Sequence, residues 1–292
     1  MSPTRWAEIQ VRVSPEAAEG VSDQMQTWAS GVAETTSNGL VTLTCYLPAD
    51  DHLGTRADAI TQRLHALRAL GLEVGEGELT IRPVDAEEWA EAWKAHFQPL
   101  HVAGHLFISP SWSEECALPG EVTIILDPGM AFGTGSHATT HGCLEMICHL
   151  IRTGDRVADV GTGSGILAIA AAQLGAAKVV AVDNDPIAVA TAQENARINE
   201  VTDRVRVLEG DLLANVSGQF DLIVANLVAE GVVRLAPALA GALKPDGHFV
   251  GSGIVELKLN LVEDALSKAG LQVAEVAREG EWITVKAECR AS

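Results

Sequence analysis

The stretch that decides the fold is Val157–Asp183, which reads VADVGTGSGILAIAAAQLGAAKVVAVD. Its apolar start, Val157–Val160, is typical of a buried parallel strand. The three glycines within Gly161–Gly165 allow the backbone to turn sharply and to approach a ligand closely. The helix-forming segment Ile166–Leu174 and a second apolar strand, Val179–Val182, follow, and the stretch ends on Asp183. Since open α/β sheets bind ligands at the carboxyl ends of their strands, the stretch predicts a strand–turn–helix–strand unit with a ligand site.

The spacing of these glycines indicates which nucleotide the turn holds. A dinucleotide fingerprint, G-x-G-x-x-G, needs its third glycine where Ile166 stands, whereas this chain has G-x-G-x-G. That pattern resembles the first motif of the S-adenosylmethionine-dependent methyltransferases with a Rossmann-like sheet. In that group the acidic residue that ends the second strand holds the ribose hydroxyls, because a carboxylate accepts both hydrogen bonds of a vicinal diol. For this segment alone, another nucleotide enzyme or a plain tight turn stays open as an alternative.

Composition limits the classes of partner. The chain has 292 residues, enough for two domains, and its 47% hydrophobic and 20% charged residues are those of a globular protein. The net charge of −19 disfavours nucleic acid and anionic membranes and favours basic partners. Five scattered cysteines without C-x-x-C spacing indicate reduced thiols. Without a signal-peptide pattern or an uncharged apolar run of roughly 18 residues, we expect a cytoplasmic protein with no membrane span.

Residues 1–84 have a pattern of their own, with the element order βαββαβ. The predicted elements are Trp6–Val13, Pro15–Trp28, Val32–Thr36, Leu40–Leu47, Asp50–Leu70 and Leu79–Val84. The turn Ser37-Asn38-Gly39 carries the Asn-Gly pair typical of a hairpin. This order is typical of a ferredoxin-like α+β sandwich. Since the segment lacks a catalytic pattern, we expect it to be a docking module.

A linker over residues 85–103 and a larger second domain over residues 104–292 follow. Asp85–Phe97 predicts a helix, whose tryptophans Trp89 and Trp93 are better explained as core anchors than as binding residues. In the second domain strands alternate with helices, a fifth strand is expected over Gly247–Gly251, and the chain closes with a hairpin. This pattern predicts an α/β fold with a mostly parallel sheet and one antiparallel edge strand.

The segment Asp127–Thr140, DPGMAFGTGSHATT, is a glycine-containing loop that runs into a helix. Hydroxyls and free N–H groups at the start of a helix suit a carboxylate or phosphate, although an ordinary capped helix explains them equally well. Phe132 either covers a ligand or packs in the core. His137 and His141 have the i, i+4 spacing of a metal pair, but no third ligand accompanies them. Capping and packing are therefore favoured, and no metal site is predicted.

Four motifs together resemble the PrmA family of ribosomal protein methyltransferases, which modify protein eleven of the large ribosomal subunit. They are the loop Asp127–Thr140, the Asn226–Ala229 sequence NLVA, the segment Trp89–Leu100 and the closing sequence GEWITVKAE. The resemblance covers nearly the whole chain and is strongest over residues 85–255. It implies a Rossmann-like class I methyltransferase domain with a seven-stranded sheet, preceded by a ferredoxin-like domain that recognises the substrate.

The resemblance also implies a cofactor, a substrate and a set of site residues. The cofactor is S-adenosyl-L-methionine, contacted by Thr140, Gly161, Asp183 and Asn226. The substrate is a basic ribosomal protein, methylated on lysine ε-amines and on its α-amine by an enzyme expected to be monomeric. Asp211, which follows the third strand of the second domain, is a candidate neighbour of the adenine. Two alternatives stay open: a methyltransferase of the same fold with another protein or a small molecule as substrate, and a catalytically idle binding protein.

The chemistry of methyl transfer to an amine predicts a role for Asn226. The displacement is in line, so the nucleophile must be held collinear with the bond from methyl to sulfur. A lysine amine, whose ordinary pKa is about 10.4, must also be neutral. A dry site beside a cationic sulfonium favours the neutral amine through desolvation and like-charge repulsion. We therefore expect no dedicated general base, and we expect Asn226 to orient the amine.

Overall fold

The chain folds into two compact units, 1–98 and 99–292, in a computed structural model. The structure describes residues 6–29, 32–37, 39–49, 52–69, 71–84, 98–127, 135, 137–214 and 216–289. The predicted linker helix with Trp89 and Trp93, as well as Phe132 and Ser136 of the glycine loop, lies outside the described residues. Among the described helices, each is too short or too polar to cross a bilayer.

The first unit is an antiparallel sheet of four strands with two helices. Its elements are β1 (Trp6–Val13), α1 (Pro15–Gln26), β2 (Ala33–Ser37), β3 (Leu40–Pro48), α2 (Leu53–Ala69) and β4 (Glu78–Val84). The strand order is β2-β3-β1-β4, and every neighbouring pair is antiparallel. This arrangement confirms the predicted βαββαβ ferredoxin-like fold.

The strand β1 buries one face in the apolar core of the first unit and a single carboxylate on its other face. Ile9, Val11 and Val13 of β1 belong to the apolar core together with residues of α1, α2 and β3. On the other face Glu8 is only 4% exposed, and its carboxylate accepts hydrogen bonds from Tyr46 Oη at 2.8 Å and Arg82 Nε at 2.7 Å. These charge-assisted bonds offset the cost of burying the carboxylate and join β1 to its two neighbouring strands.

The second unit alternates strands and helices around one large sheet. Its elements are β5 (Leu100–Val102), β6 (Leu106–Ser109), β7 (Val122–Ile125), α3 (Ala138–Leu150), β8 (Arg156–Val160), α4 (Ile166–Gln173), β9 (Lys178–Asp183), α5 (Pro186–Ile198), β10 (Val205–Glu209), β11 (Phe220–Asn226), α6 (Ala229–Ala242), β12 (Leu243–Val255), a 3-10 turn (Glu256–Lys258), α7 (Leu259–Lys268), β13 (Leu271–Glu279) and β14 (Trp282–Cys289). The large sheet has the order β10-β9-β8-β11-β12-β14-β13, and β5-β6-β7 form a separate sheet. The mostly parallel seven-stranded sheet is thus confirmed. The strand β5, which falls within the predicted connector 85–103, pairs with β6 of this second unit.

The prediction of an antiparallel strand at the sheet edge is wrong in one respect. β14 is the antiparallel strand, but it lies between β12 and β13, and the edge strand β13 runs parallel to β12. Side-chain burial explains the order, since Ile283, Val285 and Ala287 are fully buried on one face and Thr284 is 5% exposed on the other. The three fully buried side chains anchor β14 in the apolar core, so it is the strand of the hairpin that lies inside the sheet. β13 leaves much of its length exposed and therefore takes the edge.

The sheet carries an apolar core on each face, and α4 shows why its sequence is rich in alanine. All residues from Ile166 to Ala172 are at most 3% exposed, so this helix is buried on every side. Small side chains allow such a helix to pack closely between the sheet and its neighbours. The same packing fixes the start of α4 beneath the glycine turn that follows β8, which is where the candidate site begins.

Candidate active site

A cavity of about 430 Å³ lies at the carboxyl ends of the strands of the large sheet. It is lined by the glycine turn after β8, the end of β9, the turn after β10, the end of β11 and the start of α6, with one side chain from α3. The four residues predicted to contact a cofactor, Thr140, Gly161, Asp183 and Asn226, all line this one cavity. Residues separated by up to 86 positions are thus brought to a single edge of the sheet.

The glycine turn presents bare backbone to the cavity. The N–H groups of Gly161 and Thr162 both donate to the Val182 carbonyl, at 2.8 and 3.0 Å, which ties the turn to the end of β9. Gly161 has a φ of 76°, in the left-handed region that favours glycine. A Cβ at this position would also overlap Leu227 Cδ2. Any larger residue would therefore strain the turn and push it away from the NLVA segment.

Asp159 supports the turn from below, a role that the sequence analysis missed. Its side chain is fully buried, and Oδ2 accepts hydrogen bonds from Thr162 Oγ1 at 2.6 Å and from the Ala168 N–H at 3.1 Å. Within the described residues its other oxygen, Oδ1, is buried without a hydrogen bond. Burial raises the pKa of Asp159 to about 7, opposed by these two hydrogen bonds, with a further rise from the nearby Asp183. The sequence did contain a signal for this role, namely a carboxylate inside an otherwise apolar strand. A carboxylate that is buried there needs hydrogen-bond partners, which the turn provides.

Asp183 links the turn to the second strand and keeps acceptor capacity for a ligand. Its Oδ2 accepts from the Gly163 N–H at 2.9 Å, and its Oδ1 accepts from the Asp185 N–H at 3.0 Å. A carboxylate has about four acceptor positions, so each oxygen keeps one. Among the described residues no lysine or arginine forms an ion pair with Asp183. This carboxylate therefore fits the two hydroxyls of a ribose diol.

Asn226 and Thr140 meet at the other end of the cavity. The Asn226 amide donates from Nδ2 to Thr140 Oγ1 at 3.2 Å, which connects the end of β11 to the first turn of α3. In the part of the chain that the structure describes, Asn226 Oδ1 accepts no hydrogen bond. Gly142 allows α3 to pack closely against β14, because a Cβ at this position would overlap Thr284 Oγ1. Asn226 therefore presents a positioned and unused acceptor at the cavity.

His137 caps the helix that carries Thr140. It is the N-cap residue of α3, and its Nδ1 accepts a hydrogen bond from the Thr139 N–H at 3.3 Å. This contact confirms the capping role favoured for His137. The second histidine with this i, i+4 spacing is His141, whose Nδ1 lies 3.6 Å from Glu279 Oε2.

Two acidic residues of the cavity lining each form an ion pair with a basic residue. Asp211, the candidate neighbour of an adenine, accepts from Arg234 Nη2 with both of its oxygens, at 2.8 and 3.1 Å. Glu230 accepts from Lys258 Nζ at 2.6 Å, and this contact lowers the pKa of Glu230. Both acids are partly neutralised by these exposed partners, so Asp183 is the carboxylate best placed to bind a ligand.

The fold and the cavity together define the class of the protein. The strand order, with the glycine turn after β8, an acidic residue ending β9 and the antiparallel β14 inserted beside the edge, is that of the Rossmann-like class I methyltransferases. Comparison with known proteins narrows this class. The model of the family "Ribosomal protein L11 methyltransferase (PrmA)" matches residues 5–290. The chain belongs to this family, as the resemblance of its motifs indicated.

Individual relatives match over nearly the full length. The ribosomal protein L11 methyltransferase of Pelotomaculum thermopropionicum is 42% identical, with 98% of this chain and 99% of that protein aligned. The corresponding protein of Chloroflexus aurantiacus is 41% identical, with 98% of each chain aligned. The crystal structure of a ribosomal protein L11 methylase from Lactobacillus delbrueckii subsp. bulgaricus is similar with a TM-score of 0.63 at 39% identity. It covers 67% of this chain and all of that one.

Proposed function

We propose that this chain transfers methyl groups from S-adenosyl-L-methionine to amines of ribosomal protein L11, at lysine ε-amines and at the α-amine. The observation that carries the proposal is the meeting of Thr140, Gly161, Asp183 and Asn226 at one cavity, in a member of the PrmA family. The relatives that match over nearly their whole length are named for methylation of the same ribosomal protein.

The chemistry of the cavity wall supports the cofactor assignment. Asp183 has two free acceptor positions for the ribose hydroxyls, and the glycine turn that starts at Gly161 offers backbone without side chains for a close approach. The acidic wall also favours a cationic ligand. When bound, S-adenosylmethionine supplies an electrophilic methyl group on a sulfonium.

Asn226 is the residue to which we assign orientation of the amine. Its unused Oδ1 would accept a hydrogen bond from an N–H of the neutral amine, and this contact orients the nitrogen lone pair toward the methyl group. Thr140 holds the Asn226 amide group through its own Oγ1. Desolvation of the amine and repulsion by the cationic sulfonium would both lower the pKa of the incoming amine, and no dedicated base is assigned.

The ferredoxin-like unit is the proposed substrate-recognition module. A net charge of −19 complements a basic ribosomal protein and speeds its encounter with the enzyme. The proposed place of action is the cytoplasm, where such a substrate is made.

The proposal is tested by incubating the purified chain with labelled methyl donor and unmethylated ribosomal proteins, followed by mass mapping. The expected result is label in L11 alone, on lysine side chains and on the amino terminus. Label in a different protein would refute the target while keeping the enzyme class. Cofactor binding without any labelled product would instead support an idle binding protein.

Replacing Asp183 by asparagine should weaken S-adenosylmethionine binding by about 30-fold or more. The new NH₂ group faces either the Gly163 N–H or the Asp185 N–H, so two donors meet and one support of the turn is lost. The charge that strengthens the bonds to the ribose is lost as well. Isothermal titration calorimetry measures the change.

The matched control is Asp185→Asn, two residues away and outside the cavity lining. Its side chain caps α5 by accepting from the Ile187 N–H at 2.8 Å, and asparagine caps a helix equally well. Equal affinities for the two variants would remove Asp183 from the cofactor site.

A further inference from the structure

A second cavity, of about 290 Å³, lies between α3 and the β13–β14 hairpin. Among the described residues, those that line it are all different from those that line the first cavity. The two cavities lie on different sides of one helix, because Thr140 lines the first while His141 and Glu145 line the second. The second cavity is therefore a separate site beside the first.

The sheet topology places this cavity at the edge where ligands bind. β13 runs parallel to β12, so its last residue, Glu279, lies at the carboxyl edge of the parallel strands. Trp282 starts β14 at the same edge, and both residues line the second cavity.

The wall of the second cavity offers acceptors for hydrogen bonds. Glu145 and Glu279 contribute carboxylates, and the His141 Nδ1 atom is buried without a hydrogen bond within the described residues. Its nearest acid, Glu279 Oε2, is 3.6 Å away, too far for a hydrogen bond. Arg278 is the one lysine or arginine among the described residues of this wall, and its Nε donates to Glu256 Oε2 at 3.0 Å. The wall therefore suits a ligand that carries donors and positive charge.

The geometry points to a lysine or arginine side chain as the occupant, and we infer that the second cavity binds one basic side chain of the protein substrate. Ammonium and guanidinium groups are donors only and are charged at neutral pH, so they complement the two carboxylates of the wall. The indole of Trp282 offers apolar surface for the stem of such a side chain. The described residues hold no group of three side chains placed to bind a metal ion.

This inference rests on the proposed function and deepens it. The basic side chain belongs to the same substrate molecule whose amine enters the first cavity, at a different position in its sequence. The second cavity thereby selects a protein with two basic residues at a fixed separation, which a free amino acid lacks. The second cavity should therefore increase the affinity for the protein substrate without changing the affinity for the cofactor.

The test is the double variant Glu145→Gln/Glu279→Gln, which keeps the size of both side chains and removes both charges. We expect the KM for ribosomal protein L11 to rise by about fivefold at low salt, since each contact is partly exposed. The kcat value and the dissociation constant for S-adenosylmethionine should stay unchanged. The KM should also depend less on salt concentration than in the unmodified enzyme.

The matched control is Glu114→Gln/Glu115→Gln, two exposed residues of the segment between β6 and β7, outside both cavities. It makes the same change in net charge and should leave the KM near its original value. Unchanged KM in the cavity variant, or an equal rise in the control, would overturn the second site while L11 methylation still stands. Absence of L11 methylation by the unmodified enzyme would overturn the proposed function together with it.

Discussion

Replacing Asn226 by alanine should lower kcat by about a hundredfold to a thousandfold while the fold stays intact. Asn226 is the last residue of β11, and its amide is held at Thr140 Oγ1, 3.2 Å from Nδ2. Within the described residues its Oδ1 has no hydrogen bond, so the substitution breaks one side-chain hydrogen bond of the protein, the bond from Nδ2 to Thr140 Oγ1 at the cavity wall. The loss therefore falls on orientation of the amine, which is needed only as the methyl group is transferred.

Single-turnover methyl transfer to L11 measures this effect apart from substrate binding. The matched control is Asn260→Ala, the same change at an exposed position of α7. Circular dichroism and thermal unfolding should be similar for both variants, because Asn226 lies in the cavity wall rather than in the apolar core. Near-normal turnover in the Asn226 variant would contradict the assignment of the orienting role to this side chain.

The centre of the fold could be predicted almost to the residue. The strand expected over Val157–Val160 is β8 at Arg156–Val160, and the helix expected over Ile166–Leu174 is α4 at Ile166–Gln173. The signal is strong here because parallel strands with two buried faces are continuously apolar, and the glycines punctuate them. Local sequence and tertiary environment agree in this segment, so local patterns suffice.

Elements whose place depends on distant partners were predicted less well. The hairpin of β13 and β14 was expected, but the sequence of a hairpin does not state which strand meets the rest of the sheet. That choice depends on pairing with β12, which itself runs over Leu243–Val255, much longer than the expected Gly247–Gly251. The strand β5 (Leu100–Val102) has three residues, too few for a periodic signal.

In the candidate site, too, the residues in local motifs were predicted, and those that depend on tertiary contacts were not. Thr140, Gly161, Asp183 and Asn226 stand in recognisable motifs at strand ends, and the structure brings them to one cavity. Asp159 was overlooked because it was counted within an apolar strand, and only its buried hydrogen bonds reveal what it supports. The second cavity could not be predicted either, since its acids come from a helix and a hairpin that lie far apart in sequence.

Replacing Asp159 by asparagine should remove a pH dependence from the stability of the protein. Burial raises the pKa of this carboxyl from 3.8 to about 7 in the folded state. Between these two values the folded protein keeps a proton that the unfolded chain has released, so the free energy of unfolding falls as the pH rises. Above about pH 7 the carboxyl is ionised in both states and the full cost of about 4 kcal/mol applies, at 1.36 kcal/mol for each unit of pKa difference.

Asparagine is neutral at every pH, so the unfolding free energy of the variant lacks the decrease that ionisation of Asp159 causes. The difference in unfolding free energy, variant minus unmodified protein, should therefore rise by about 4 kcal/mol between about pH 4 and pH 8. Urea denaturation across this range measures it, and titration of the other groups cancels in the difference. Asp246→Asn, at an exposed position of β12, is the control for the change in charge and should give a nearly flat difference. A flat difference for Asp159 as well would mean that burial does not hold the proton, and that an ionised carboxylate lies beneath the glycine turn at neutral pH.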